Sequence, residues 1–180
     1  MVYNHKEMLE KYKTNYQIKL ALNKGDIYKI ENGIYSDEKI PNEMEVITKK
    51  YPNAIFTMDN AFYLYDLTDV IPRKYYLAVQ ENRKKIIHPK IETVSMSKSF
   101  FDIGKTEVST HGAKIAVYDK ERMLIELVRN KKQIPYDYYK EILNNFREQV
   151  DSLDIRKIQK YLKSFKNSNS ISRIIRTEVY

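Results

Sequence analysis

Only four glycines occur in 180 residues, and two of them lie within the first 33 positions, where they divide the chain into a definite order of elements. Gly25 closes a segment of helical spacing, the place where a left-handed glycine ends a helix. Gly33 follows Asn32, and Asn-Gly between two short apolar runs (Ile27 to Ile30 on one side, Ile34 and Tyr35 on the other) is a strong tight-hairpin signal. Upstream, Met8, Leu9 and Tyr12 recur at helical spacing, and Lys13-Thr14-Asn15 supplies a turn with a polar cap for a second helix. In residues 16–23, burying Ile18, Ala21 and Leu22 leaves Tyr16, Lys19, Leu20 and Asn23 outside, with Gln17 and Lys24 at the margin.

Helix, turn, helix and hairpin within 36 residues form the outline of a winged helix-turn-helix, whose second helix enters the major groove while the hairpin touches the flanking backbone. An ordinary packing subdomain shares that outline. The outward mixture of Tyr, Lys, Asn and Gln, which can stack, hold phosphate or read base edges, argues for nucleic acid.

Charge points the same way. The formal net charge is +8, yet residues 155–177 hold Arg156, Lys157, Lys160, Lys163, Lys166, Arg173 and Arg176 with no acid, and residues 11–25 hold Lys11, Lys13, Lys19 and Lys24 with none. Such faces attract phosphates through counterion release, although a solvated basic surface has the same composition. Tyr16, Gln17, Lys19, Asn23 and Lys24 are thus the recognition-helix candidates, Lys11 and Lys13 the phosphate holders, and Lys29 with Asn32 the wing contacts. Arg156, Lys157, Lys160 and Lys163 form a second candidate contact.

Beyond a linker containing Pro41, the remainder reads as an α+β domain. Helical spacing is expected over residues 43–50, with Met44, Val46 and Ile47 inside, and again after Thr57 as N-cap. Residues 54–56, 75–79 and 113–118 read as strands; the segment between the last two is ambiguous, with residues 91–96 a candidate for a further strand. Helices are expected at 119–129, from Pro135 onward, and at 152–165, the last burying Ile155, Ile158, Leu162 and Phe165. The predicted division is residues 1–37 for DNA binding and 40–180 for the α+β domain.

Several chemistries fall away. The chain has no cysteine, which removes disulfides, thiolate metal sites and cysteine nucleophiles and fits a reducing cytoplasm. His5, His88 and His111 are far apart without carboxylates at ligand spacing, so no metal or cofactor is expected, and no glycine-rich phosphate loop or serine elbow occurs. No apolar run approaches a signal or membrane span. Abundant Lys, Ile, Asn and Tyr suggest A/T-rich bacterial codons. Asp119 and Glu121 are the one acidic pair that could hold Mg²⁺ for nuclease chemistry, but Asp119 is equally placed to cap the helix that follows.

Gly33-Ile34-Tyr35-Ser36, Tyr51-Pro52-Asn53-Ala54-Ile55-Phe56-Thr57, Ala61-Phe62, Leu67-Thr68-Asp69-Val70-Ile71-Pro72 and Glu121-Arg122-Met123-Leu124-Ile125-Glu126-Leu127 resemble, in that order, the AbiEi-type antitoxins of type IV toxin–antitoxin and phage abortive-infection systems. The resemblance runs to about residue 147, with Asn60 where members often have Ser and little chain before His5 for a further helix. It implies a winged helix-turn-helix that represses its own operon through inverted repeats in operator DNA. An α+β antitoxin domain would follow, and the operon partner would be a nucleotidyltransferase-like toxin. The expected protein is non-enzymatic; the alternatives are a transcriptional regulator without a toxin and a divergent Mg²⁺-dependent nuclease.

Overall fold

The computed structural model describes residues 1–83, 85–110 and 113–180; His111 and Gly112 lie outside the described residues. The fold is α+β, with nine α-helices and two sheets among those residues. It divides into two compact units, Met1–Ala54 with Val108–Ile115, and Ile55–Glu107 with Ala116–Tyr180.

The N-terminal unit begins with β1 (Val2–Asn4), α1 (His5–Tyr12) and α2 (Asn15–Lys24), followed by β2 (Tyr28–Glu31), β3 (Ile34–Ser36) and α3 (Glu43–Lys50). Asn4 and Glu7 form a capping box, Asn4 Oδ1 accepting from the Glu7 N–H at 3.0 Å and Glu7 Oε2 from the Asn4 N–H at 2.8 Å. Thr14 caps α2, its hydroxyl accepting from the Gln17 N–H. At the far end Gly25 takes φ 79°, and the bonds from Asp26 N–H to Ala21 C=O and from Gly25 N–H to Leu22 C=O complete a Schellman motif. Met8, Ile18, Ala21, Ile27 and Tyr35 make one small core, so both helices and the hairpin pack on the same apolar cluster.

The hairpin forms where Asn-Gly places it, with a bulge between Lys29 and Glu31, and β3 pairs on its other side with β1. That third strand was not expected, since three residues are too few to show a period. The expected division near residue 40 falls ahead of α3, which the structure groups with this unit: Glu45 accepts from the Val2 N–H, Lys49 bonds Glu7, and Lys50 pairs with Glu31.

The second unit carries most of a mixed sheet ordered β6 (Ile91–Met96), β5 (Tyr75–Gln80), β4 (Ile55–Phe56), β8 (Ala113–Tyr118) and β7 (Lys105–Thr110), the ends of β7 and β8 from Val108 and up to Ile115 being grouped with the first unit. Strand β4 runs antiparallel to β5 and parallel to β8, while β5 and β6 are parallel. Its helices are α4 (Met58–Leu64), α5 (Lys98–Phe101), α6 (Lys120–Arg129), α7 (Tyr136–Glu148), α8 (Ile155–Leu162) and α9 (Ser168–Glu178). Asn60 is buried at the sheet, its Oδ1 accepting from the Tyr76 N–H.

Three local expectations need correction. Thr57 stands at the N-cap of α4 without capping it; its hydroxyl turns toward Met123 Sδ at 3.7 Å. The helix expected from residue 152 begins after Asp154, whose carboxylate accepts from the Arg156 and Lys157 N–H groups, because a 3-10 turn (Val150–Ser152) precedes it. Ile155, in the uncovered first turn, is 50% exposed, not buried.

Every residue of α6 from Glu121 to Val128 is buried, charges included. The amphipathic pattern predicts one covered face, whereas this helix is covered all round. Its approach to the preceding loop requires Gly104: φ is +75°, and a Cβ there would stand 2.5 Å from Arg122 Cβ. Gly104→Ala should therefore cost about 3 kcal/mol or more in urea unfolding. Gly25→Ala, with open space around it, should cost only about 1–2 kcal/mol of left-handed strain.

Candidate nucleic-acid interface

Helix α2 separates its residues as the spacing predicts. Ile18 and Ala21 are buried and Leu22 is half-buried, while Tyr16, Gln17, Lys19, Leu20, Asn23 and Lys24 are exposed, Tyr16 at 70%. Among the described residues Lys13, Lys19, Lys24 and Lys29 form no ion pair, so their charge is directed to solvent. Lys13 sits in the tight connection between helices with φ 67°, and Lys29 and Asn32 are exposed on the hairpin. Lys11 is held differently: its Nζ lies 4.7 Å from the centre of the Tyr3 ring and 5.7 Å from that of Tyr12. The nine N-terminal candidates thus share one unit built on one core.

Two residues join this surface that residue type alone did not nominate. Leu20 is 38% exposed in the middle of the polar face of α2, and Tyr28 is 37% exposed on β2. Leu20 was legible from its outward position; its apolar character hid its relevance. For Tyr28 the only sequence signal was an aromatic residue at the hairpin's outer end.

The C-terminal basic segment divides into free and committed charges. Arg156, Lys160 and Lys163 are exposed and have no acidic partner among the described residues. Lys157 instead lies 3.5 Å from Asp119 Oδ2 and 3.8 Å from Glu121 Oε2. Burial disfavours its charged form, but Glu121 and then Asp119 outweigh that and hold its pKa above the ordinary lysine value.

The same contacts define what Asp119 and Glu121 do. Asp119 caps α6, accepting from the Arg122 N–H at 2.9 Å, and its other oxygen accepts from the Tyr161 hydroxyl at 2.8 Å. Glu121 accepts from the Asp154 N–H at 2.9 Å, at the start of α8. Both carboxylates tie the N-terminus of α6 to α8, and the described residues include no cluster of three or more metal-ligating side chains. No helix among the described residues is long and apolar enough to cross a membrane.

Between α1 and α3, Glu7 is the electrostatic clamp, with Lys49 Nζ 2.5 Å from its Oε1. Burial raises the Glu7 pKa, but the bonds from Lys49 and from the Asn4 N–H more than reverse this and leave it below the usual glutamate value. A depressed carboxylate stabilises the fold above its unfolded pKa, and that contribution disappears as pH falls through the lower folded value. An NMR titration of the Asn4 amide should accordingly report a midpoint below that of an ordinary glutamate. In Lys49→Met the midpoint should move up; an unchanged midpoint would remove Lys49 as the cause.

No protein-family model matches the chain, and no curated protein matches it either.

Proposed function

We propose that this chain is a DNA-binding antitoxin of an abortive-infection operon: a winged helix-turn-helix autorepressor joined to an α+β antitoxin domain that neutralises a nucleotidyltransferase-like toxin. The observation that carries the DNA-binding half is the outward face of α2, where stacking, phosphate-binding and base-reading side chains stand exposed together with no acid among them. In this reading α1 supports, α2 is the recognition helix, and β2 with β3 forms the wing, with β1 as the third strand of its sheet. Lys13, Lys19, Lys24 and Lys29 hold phosphates. Gln17 and Asn23 read base edges, an amide pairing best with adenine, while Leu20 contacts a thymine methyl. The antitoxin half is supported by the ordered motif series that resembles AbiEi-type proteins, whose members act in the bacterial cytoplasm on operators with inverted repeats. The proposal assigns no catalytic residue, metal or cofactor.

Its test is binding to the chain's own promoter across a salt series. With four or five phosphate contacts the slope of log K against log salt should be about −4. Lys19→Ala should weaken binding to all DNA, whereas Asn23→Ala should cost about 1–3 kcal/mol on the operator and little on random sequence. Equal affinity for scrambled DNA would overturn the repressor reading. Growth rescue from the neighbouring gene's product, expressed from an unrelated promoter, tests the antitoxin half; repression without rescue would leave a stand-alone regulator.

The second basic surface has its own outcome. Replacing Lys160 and Lys163 with Gln should flatten the salt slope by up to about two if each holds a phosphate, while Lys157→Gln, already neutralised by two carboxylates, should leave it nearly unchanged. An unchanged slope in the double variant would assign α8 to solvent.

A further inference from the structure

In the second unit a cavity of about 830 Å³ opens beside the C-terminal end of α6. Its size lies within the range of small-molecule sites. One wall is a charge cluster with an excess: the buried Glu126 carboxylate is shared by two guanidinia, Arg122 at 2.8 Å and Arg129 at 3.0 Å. Arg122 is wholly buried and directs its donors inward. Arg129 is 44% exposed and bonds Glu126 through Nη1 alone, leaving Nε and Nη2 without a partner among the described residues. Its ring-side position, 5.3 Å from the centre of Phe165, holds the planar group in place.

The surplus positive charge thus belongs to a side chain that is anchored at one nitrogen and free at the others, facing a cavity. A planar fork so presented suits an oxyanion, and anchoring reduces the ordering cost of binding. Lys166 lines the same cavity and is exposed, and the Ser97 and Ser99 hydroxyls, hydrogen-bonded to each other at 3.1 Å, leave one further O–H donor. Two acids also line it, but Glu92 is held by Lys74 at 3.0 Å, and Glu81 is exposed. Tyr76 and Phe100 supply aromatic surface.

We infer that this cavity binds a small molecule carrying a phosphate group, with Arg129 and Lys166 on the phosphate and Tyr76 and Phe100 against the remainder of the ligand. Donors in this number exceed what a lone carboxylate can accept, while a tetrahedral phosphate offers three oxygens. The site is separate from the α2 surface and does not depend on the DNA-binding reading.

Titration calorimetry of the full chain with inorganic phosphate, adenosine monophosphate and adenosine tests this. Phosphate and the monophosphate should bind, and adenosine should not. Arg129→Gln should lower monophosphate affinity about tenfold or more, since it removes charge-assisted bonds, and Arg129→Lys should restore only part. Because Arg129 also neutralises Glu126, Lys166→Gln provides a variant with no described partner to lose; it should weaken binding several-fold. Lys19→Ala should leave binding unchanged, which separates this site from the basic face of α2. Adenosine binding as tightly as its monophosphate would overturn the inference. So would indifference of binding to both Gln variants, or no heat from phosphate or the monophosphate at millimolar concentration.

Discussion

A guanidinium has five N–H donors and no acceptor, so burying one requires five partners at fixed positions. Arg122, with no exposure, places four as hydrogen bonds, Nε on Glu126, Nη1 on the carbonyls of Phe100 and Ile103, and Nη2 on Met96 Sδ at 3.5 Å, while Nη2 also stands 2.8 Å from Glu126 Oε1 as an ion pair. The rings of Tyr118 and Phe165 each lie 4.9 Å from its carbon. Leaving such a charge unpaired would cost several kcal/mol, so β6, α5 and the loop before β7 are held wherever Arg122 is held. The specificity of this arrangement comes from geometry more than from net energy, because the charges give up hydration to enter it.

The rest of the second unit follows from that one side chain. Gly104 is needed because the Arg122 Cβ occupies the space any other residue would fill. Tyr118 donates to the Phe101 carbonyl at 2.8 Å, so β8 and α5 are joined beside the guanidinium. At the N-terminal end of α6 the carboxylates of Asp119 and Glu121 are engaged by Tyr161, the Asp154 amide and Lys157. At its C-terminal end Arg129 and Asn130 converge on Glu126. A single helix therefore distributes charge to both ends: acids committed to structure at one, and a partly free cation at the other.

The N-terminal unit works on a smaller scale. Its core is a handful of side chains, and its helices are eight and ten residues long, too short to persist alone. Caps at Asn4, Thr14 and Gly25 and the Glu7–Lys49 clamp supply what the small core does not. Because that stabilisation comes from helix ends and one buried side, the outward face of α2 is left free of any packing duty. Its composition can then answer to a partner.

Local chemistry was readable before any tertiary contact. Thr14, Gly25 and Asn32-Gly33 act over a few residues, and the 3.6-residue spacing of Ile18, Ala21 and Leu22 decides which side of α2 faces inward; the α2 candidates are exposed for that reason. The strand at residues 113–118 is legible from its alternation, whereas residues 91–96, in an ambiguous segment, are only a candidate until the sheet pairs them with β5. By contrast β1 is three residues long, and β7 alternates with Val108 as its only large aliphatic residue, so neither carries a pattern. Glu126 has its cations at helical spacing, in Arg122 and Arg129, but nothing local announces that Arg122 or Glu121 is buried, because the Phe100 and Ile103 carbonyls and the Asp154 amide that complete their bonding lie 19 to 33 residues away along the chain. Charge burial is decided by partners, and Lys157 was counted as a free cation until the fold brought Asp119 and Glu121 beside it. Periodicity and turns act through neighbouring residues and survive in one dimension; pairing of buried charges acts through space, and only the folded chain specifies it.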